Sequence, residues 1–230
     1  MNADTDLDLH ARGRAAMLAT KAGQAGQGYF EGARWLRPGQ RLEGPEGAEC
    51  VAVEEADLPA LGGLSVAREH PVHLVILSPA SPLAAEVVAS GLRGFLRVPY
   101  SAGESPANRA QAIASAQALL AAHPGIEGVM PTPVGEAMGL DTLDMFAACR
   151  AAFPAAHVVV DLALLGFKLG QLCLAFGADE LFGPIGAARA LRLGENAGSP
   201  VITVKEAADL VAAAGLSPRR RCADGSPAPT

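Results

Sequence analysis

Residues 73–79 read HLVILSP, and four later stretches repeat this pattern of an apolar run of strand length. They are residues 94–100 (GFLRVPY), 125–133 (GIEGVMPTP), 157–165 (HVVVDLALL) and 178–185 (ADELFGPI). The starting residues of successive runs are 21, 31, 32 and 21 positions apart, which leaves room for a helix between neighbours. Strands that alternate with helices, and that are apolar throughout, are typical of a parallel sheet covered on both faces. The pattern therefore predicts an α/β fold.

Helix signals fill the intervals between these runs. The predicted starts are Ser81 with Pro82, the alanine-rich stretch from Asn108, Asp141 as a cap, and the capping box of Thr203 and Glu206. Two architectures remain open at this point, an incomplete (β/α) barrel and an open doubly wound sheet. A complete eight-fold barrel takes about 250 residues, and this chain has 230. We therefore expect an incomplete (β/α) barrel of about five or six parallel strands.

The chain divides into three predicted segments. Residues 1–49 hold an N-terminal helix and an irregular, glycine-rich segment, and the pattern from residue 21 to 60 assigns no firm structure. Residues 50–217 form the partial barrel with its terminal helix. Residues 218–230 are polar and rich in proline, alanine and serine, and we expect a disordered tail whose three arginines are solvated.

Composition and charge exclude several classes of function. The formal net charge of -6 gives no basic excess for nucleic-acid binding. The N-terminus is acidic where a signal peptide is basic, and no apolar run is long enough to span a bilayer. The four cysteines, Cys50, Cys149, Cys173 and Cys222, form no CxxC pair. We expect a cytoplasmic protein that binds neither nucleic acid nor membrane.

In either architecture, ligands bind at the carboxyl ends of the strands. Arg97 and Tyr100 flank the end of the second run, and Glu136 lies in a proline-rich loop after the third. These side chains are candidates for binding a polar substrate or moving a proton. Lys168 follows the fourth run, where a lysine can form a Schiff base or contact an anion. The structural alternatives are ordinary loop polarity and capping for the first three, and a snorkelling side chain for Lys168.

Asp161 interrupts the fourth apolar run. A carboxylate in a buried strand is costly unless it is paired, so Asp161 either faces the barrel mouth or meets an internal partner. Gly183 and Gly186 precede a predicted helix start, where backbone amides can cradle a phosphate or carboxylate. The sequence contains no HExxH, GxSxG or P-loop motif, and residues 23–28 depart from the GxGxxG order. We predict no metal site.

Residues 165–183, LGFKLGQLCLAFGADELFG, resemble the carboxyl-terminal part of the radical-SAM enzymes of the futalosine route to menaquinone. These are aminofutalosine synthase and dehypoxanthine futalosine cyclase, which are related to the FO synthase subunits. The matching positions are Gly166, Lys168, Gln171, Leu174, Phe176, Gly177, Ala178, Asp179 and Gly183. Residues 139–150 and 203–220 are similar to two further segments of the family, in the same order. The resemblance covers about residues 125 to 220 and implies a partial barrel of radical-SAM descent. The residues that we expect to bind the substrate are Asp161, Gln171, Gly183 and Gly186.

The sequence departs from the family at the positions that carry its chemistry. The family binds a [4Fe–4S] cluster through CxxxCxxC, which this chain lacks. Where the family has Gly-Gly-Thr and an acidic pair, this chain has Phe182-Gly-Pro184 and Ala187-Ala188. The resemblance therefore implies a cluster-less relative that acts as a ligand-binding, scaffold or accessory subunit. Its ligand would be S-adenosylmethionine or a nucleoside, and its partner a radical-SAM enzyme or a second copy of the chain.

Two other hypotheses remain. The first is an enzyme that uses the barrel mouth for cluster-free lyase or isomerase chemistry, with Glu136, Lys168, Arg97 and Tyr100 as candidates. The second is a structural remnant kept for oligomerisation. Convergence of Arg97, Glu136, Asp161 and Lys168 on one cavity would favour binding or catalysis, and dispersal would favour the remnant.

Overall fold

The computed structural model describes residues 11–13, 15, 28–30, 34–36, 51–65, 72–137, 139–183, 185–186 and 202–221. The strands are β1 (Gly28–Phe30), β2 (Arg34–Leu36), β3 (Val51–Glu54), β4 (Val72–Leu77), β5 (Arg93–Ser101), β6 (Ile126–Val134), β7 (His157–Asp161), β8 (Glu180–Phe182), β9 (Ile185–Gly186), β10 (Ile202–Thr203) and β11 (Arg219–Arg221). The α-helices are α1 (Leu58–Leu61), α2 (Ala84–Ala89), α3 (Pro106–Ala122), α4 (Leu140–Ala152), α5 (Leu162–Ala175) and α6 (Val204–Ala213). Among these helices, none has the length and hydropathy needed to cross a bilayer.

The main sheet is parallel, and its strand order follows the chain from β3 to β8. A doubly wound sheet would reverse its order at a switch point. Because each strand of this series pairs with the next one along the chain, right-handed crossovers place the connecting helices on one face. The sheet curls into an incomplete (β/α) barrel, which confirms the predicted fold.

The strands β1, β2 and β11 extend this six-strand wall at its two edges. β2 pairs with β3, whereas β1 pairs with β8 and β11. Only residues 31–33 separate β1 from β2, and so short a connection spans about 14 Å at most. The two edges of the curled sheet therefore approach each other where this segment joins them.

The core has two layers because both faces of the strands are buried. Alternate residues such as Val53, Val75 and Val160 face the helices. The inner layer consists of Ala52, Leu74, Ile76, Phe95, Met130, Val159 and Phe182, with exposures of 1% or less. This arrangement explains why the strand sequences are apolar throughout.

Two predicted helix starts are corrected. α2 begins at Ala84, with Leu83 at the N-cap position and Ser81 in the turn before it. The Ser81 hydroxyl donates to Glu55 at 2.6 Å. The same hydroxyl accepts from the Leu83 amide just before the helix. α4 begins at Leu140 after Gly139, whose φ of 65° favours glycine, so Asp141 lies inside the first turn and caps nothing.

The other two helix starts follow their sequence signals. Ser105 caps α3 two residues earlier than the predicted start, with Pro106 in the first turn. The capping box of Thr203 and Glu206 is confirmed at the start of α6. Local hydrogen bonding therefore fixes these two starts without help from distant segments.

The boundary drawn at residue 217 does not match the structure. Arg219–Arg221 form the parallel strand β11, and the Arg221 side chain is largely buried, so these residues are neither disordered nor all solvated. The partial barrel also takes in β1 and β2 from the predicted N-terminal segment. Residues 11–13 and 15 are helical, whereas the remainder of that first helix and residues 222–230 lie outside the described residues.

Candidate functional site

Three polar side chains meet on the inner face of the sheet, towards the carboxyl ends of its strands. Arg97 on β5 forms an ion pair with Glu54 on β3, with 2.9 Å between Nη2 and Oε1. The Arg97 Nη1 donates to Thr132 Oγ1 on β6 at 3.1 Å, and the Thr132 hydroxyl donates to the Met130 carbonyl at 2.9 Å. The guanidinium is thus fixed by neighbours on both sides, and Glu54 and Arg97 remain partly exposed.

Two adjoining cavities share Glu54, Arg97 and Thr132 in their walls. The first has a volume of about 440 Å³ and is also lined by Ile76, Pro79, Pro99 and Val134. The second, of about 490 Å³, is also lined by Pro133, Asp161, Ala163 and Leu164. Small-molecule sites in proteins have volumes of about 300–1,000 Å³. Each cavity is large enough for part of a metabolite.

Asp161 ends β7 and opens onto the second cavity. It is 5% exposed, and its Oδ1 accepts from the Ala163 amide at 3.0 Å, which caps the first turn of α5. Burial raises the pKa of Asp161, and the hydrogen bond from Ala163 and the positive charge of Arg97 oppose that rise. Both sequence alternatives hold in part, because Asp161 faces the barrel mouth and also has a backbone partner.

Glu55 fixes the loop after β4, which borders the first cavity. Its Oε2 accepts from the Ser78 amide at 2.7 Å, and its Oε1 accepts from the Ser81 hydroxyl at 2.6 Å. Ser78 and Pro79 line the cavity from this loop. Because Glu55, in the connection between β3 and β4, holds this loop in place, this part of the mouth is preformed.

The sequence-predicted residues divide into two groups. Arg97 and Asp161 converge on the mouth, whereas Glu136, Lys168 and Gln171 are exposed side chains outside the walls of these two cavities. Glu136 follows Gly135, which turns the chain outward with a φ of 68°. Of the four residues whose convergence on one cavity was to be tested, two therefore lie at the mouth and two do not.

Tyr100 and the two glycines have packing roles in this structure. Tyr100 faces the helices, and its hydroxyl donates to Thr142 at 2.9 Å, while burial raises its pKa to about 12. Gly183 has a φ of 141°, and a Cβ atom there would lie 3.1 Å from the Leu162 Cβ. Gly186 pairs with Thr203 in the small β9–β10 sheet.

Comparison with known proteins finds no family model and no curated protein that match this chain. Among solved structures, methylornithine synthase (PylB), a radical-SAM enzyme, aligns with a TM-score of 0.50 at 12% identity over 92% of this chain and 89% of its own. This similarity is one of fold, the incomplete (β/α) barrel described above. Phospho-2-dehydro-3-deoxyheptonate aldolase from Thermotoga maritima aligns with a TM-score of 0.49 at 13% identity over 90% of this chain and 66% of its own.

The two cysteines that the structure describes, Cys149 and Cys173, do not fit a [4Fe–4S] cluster. Cys149 and Cys173 lie on α4 and α5 in the layer between sheet and helices, away from the mouth. Burial raises the pKa of Cys149 to about 12 and also raises that of Cys173, which disfavours the thiolates that ligate iron. Within the described ranges, no three His, Cys, Asp or Glu residues group as metal ligands.

Sequence reasoning missed Glu54 and Thr132, which hold Arg97. The run Val51-Ala-Val-Glu54 carries the signal of a short buried strand that ends in an acid at a carboxyl end. This signal is short, and the surrounding pattern of residues 21–60 assigns no firm structure. Thr132 lies near the end of the predicted run of residues 125–133, and its partner Arg97 could not be inferred from the local sequence.

A second charged cluster lies towards the amino ends of the same strands. Glu180 is fully buried on β8, and its Oε1 lies 2.8 Å from the Arg221 Nε and 3.7 Å from the His157 Nδ1. Burial raises the pKa of Glu180 to about 7, against the attraction of His157 and Arg221. Asp179 accepts from the Val158 amide at 2.7 Å and pairs with Arg150 at 2.9 Å.

Glu127 and His157 complete this amino-end cluster. Glu127 accepts from Arg93 Nε at 2.7 Å and lies 3.5 Å from Arg221. Burial alone would lower the pKa of His157, but the hydrogen bond with Asp179 and the charge of Glu180 raise it. A cavity of about 460 Å³ is lined by Glu127, His157 and Arg221.

Proposed function

We propose that this chain is a binding protein that holds a nucleoside-like small molecule at the carboxyl-end mouth. It would act as a cluster-less relative of the futalosine-pathway radical-SAM enzymes, in a ligand-binding or accessory role. The observation that carries this proposal is the convergence of Arg97, Glu54, Thr132 and Asp161 on two adjoining cavities. Ligands bind at this end of parallel-stranded barrels.

The side-chain chemistry fits a polar, hydroxyl-bearing ligand. Carboxylates such as Glu54 and Asp161 accept hydrogen bonds from sugar hydroxyls, as acidic residues do at ribose in dinucleotide sites. The Arg97 guanidinium donates to ring nitrogens or carbonyl oxygens and stacks on aromatic planes. One arginine and two carboxylates at the mouth suit a ligand without a large negative charge, and a nucleoside meets that requirement.

The accessory role rests on the cysteine chemistry. Because this chain lacks CxxxCxxC, radical cleavage of S-adenosylmethionine would belong to a partner enzyme. S-Adenosylmethionine is itself a nucleoside derivative, so it belongs among the ligands to be tested. The partner would be a cluster-bearing radical-SAM protein or a second copy of this chain.

One observation favours a second function, cluster-free lyase or isomerase chemistry. Asp161 lies at the mouth with its pKa raised by burial, and a carboxyl with a raised pKa is suited to general acid–base catalysis. Turnover of a bound nucleoside by the isolated chain, lost in Asp161→Asn, would support this function over binding alone.

The test of the binding function is a thermal-shift screen followed by calorimetric titration. The ligands are adenosine, S-adenosylmethionine, futalosine-type nucleosides and deazaflavin precursors, and a ligand that binds only the folded state raises Tm. We expect a shift with at least one nucleoside, abolished in Arg97→Gln and retained in Glu136→Gln, an exposed control. Absence of binding by every nucleoside would reject the proposal.

A further inference from the structure

The carboxyl-end mouth is divided into two compartments of different chemistry. The apolar compartment is the cavity lined by Ile76, Pro79, Pro99 and Val134. The Asp161 compartment is the adjoining cavity, lined by Pro133, Asp161, Ala163 and Leu164. Glu54, Arg97 and Thr132 line both cavities and form a dividing wall between them.

The dividing wall is held in place by its own contacts. Arg97 pairs with Glu54 on one side and donates to Thr132 on the other, and Thr132 is anchored on the Met130 carbonyl. A guanidinium fixed in this way presents its plane and its edges at constant positions. A ligand that contacts Arg97 extends from there into one compartment or into both.

The apolar compartment suits a flat, weakly polar group. Its wall has a buried floor at Ile76 and a rim at Val134, which is 53% exposed. Such an exposed valine beside two prolines leaves apolar surface in water, and a ligand that covers it gains hydrophobic stabilisation. An aromatic ring can cover these apolar side chains with one face and stack on the Arg97 guanidinium with the other.

The Asp161 compartment suits hydrogen-bond donors. Asp161 is the acidic side chain that this compartment adds to the shared wall. Its Oδ1 is engaged by the Ala163 amide, and a carboxylate has lone pairs for several donors. Hydroxyl groups of a ligand are therefore matched to this side of the wall, and an anionic group would be repelled.

We propose that the two compartments form one bipartite site, in which the base of a nucleoside fills the apolar compartment and its sugar hydroxyls meet Asp161. This inference rests on the proposed function and adds to it the orientation of the ligand and the source of each part of its specificity. Val134 and Ile76 recognise the base, Asp161 recognises the hydroxyls, and Arg97 lies between them.

The test compares adenosine with 2′,3′-dideoxyadenosine, which lacks both hydroxyls, by calorimetric titration of the whole chain. The wild type is expected to prefer adenosine about tenfold, the effect of a hydrogen bond to a charged group. Asp161→Asn is expected to reduce that ratio to near one. Asn caps helices as well as Asp does, so the first turn of α5 is preserved. Asp161→Ser, a second good cap, should give the same ratio.

A substitution in the apolar compartment should affect the base and not the sugar. Val134→Asp is expected to weaken adenosine and its dideoxy analogue equally, by about fivefold or more, because both carry the same base. The adenosine preference should remain. Leu172→Asp, a matched change at an exposed leucine on α5 outside the walls of both cavities, should leave both affinities unchanged.

The outcomes separate the two proposals. If the wild type binds neither compound nor any other nucleoside, the proposed function fails. The bipartite orientation is wrong if the preference for adenosine over the dideoxy analogue survives both Asp161→Asn and Asp161→Ser. It is also wrong if that preference is lost in Val134→Asp. In either case nucleoside binding itself stands.

Discussion

The two ends of the barrel carry similar charged side chains in different environments. At the amino end, Glu180 is fully buried and the Arg221 side chain is nearly so, and Arg221 lies within 3.5 Å of both Glu127 and Glu180. At the carboxyl end, Glu54 and Arg97 are about one-fifth exposed and border open cavities. Between the ends lies the inner apolar layer of Phe95 and Met130. Burial therefore suits the first cluster to a role in stability and leaves the second accessible to the ligand that we propose.

This division agrees with the physics of ion pairs. Removing one partner of a buried pair leaves an uncompensated charge and costs several kcal/mol, whereas a partly exposed pair contributes about 1 kcal/mol or less. The same kind of substitution should thus damage folding at one end and binding at the other.

The largest effect is expected from Arg221→Met, which strips Glu180 of its arginine partner. We expect a loss of about 3–5 kcal/mol in the free energy of unfolding, and a fall of about 10 °C in Tm. Thermal and urea denaturation measure both quantities. Arg219→Met, an exposed position two residues earlier in β11, should change Tm little. Equal Tm values for the two variants would show that the pairing of Arg221 with Glu180 contributes nothing to stability.

Arg97→Gln should affect binding more than folding. The lost charge-assisted hydrogen bonds weaken nucleoside affinity by about ten- to hundredfold, while Tm falls by about 3 °C or less because the Glu54 pair is partly exposed. Calorimetric titration and thermal denaturation of the same preparation give the two values. A large loss of Tm with unchanged affinity would reverse the roles assigned to the two ends.

The stability of the amino end should depend on pH. The pKa of Glu180 in the folded chain is raised by burial to about 7, so its contribution is full below its unfolded pKa and is lost as pH rises through 7. The raised pKa of His157 acts in the same direction. Between pH 5.5 and 7.5 we expect a loss of about 2 kcal/mol from Glu180.

Urea denaturation at several pH values, compared with Glu180→Gln, isolates this contribution. The variant should show a flatter dependence over the same range, because glutamine does not titrate. A wild type that becomes more stable relative to the variant as pH rises would contradict the sign worked out for Glu180.

The smallest effects are expected from Glu136→Gln and Lys168→Ala. Both side chains are exposed and lie outside the cavity walls, so stability should change by about 0.5 kcal/mol or less and nucleoside affinity should not change. Calorimetric titration measures the nucleoside affinity, and urea denaturation measures the free energy of unfolding. A tenfold loss of affinity or turnover in either variant would place the site elsewhere on the molecule.

The fold could be predicted because its determinants are local. The apolar runs beginning at residues 73 and 94 form β4 and β5, and the run beginning at residue 157 forms β7 and then the first turn of α5. The spacing of these runs fixes the alternation with helices. The incorrect helix start at Ser81 involves a contact that is distant in sequence. Ser81 looks like the cap of α2, but it lies in the turn before the helix, where its hydroxyl accepts from the Leu83 amide and donates to Glu55. No sequence pattern around Ser81 reveals the contact with Glu55.

The site was less predictable because it depends on pairs distant in sequence. Arg97 and Asp161 could be selected because each places a charge within or at the end of an apolar run. Glu54 lies in a stretch without clear periodicity, and the pairing of Arg221 with Glu180 joins an apparently polar tail to a buried strand. Such partners become visible only when the sheet register is known.

The most direct test of the account is a crystal structure of the whole chain with bound adenosine. We expect density for the nucleoside against Arg97 and Asp161 at the carboxyl end. Density in the amino-end cavity beside Glu127 and His157, with the carboxyl-end mouth empty, would contradict the assignment of binding to one end and stability to the other.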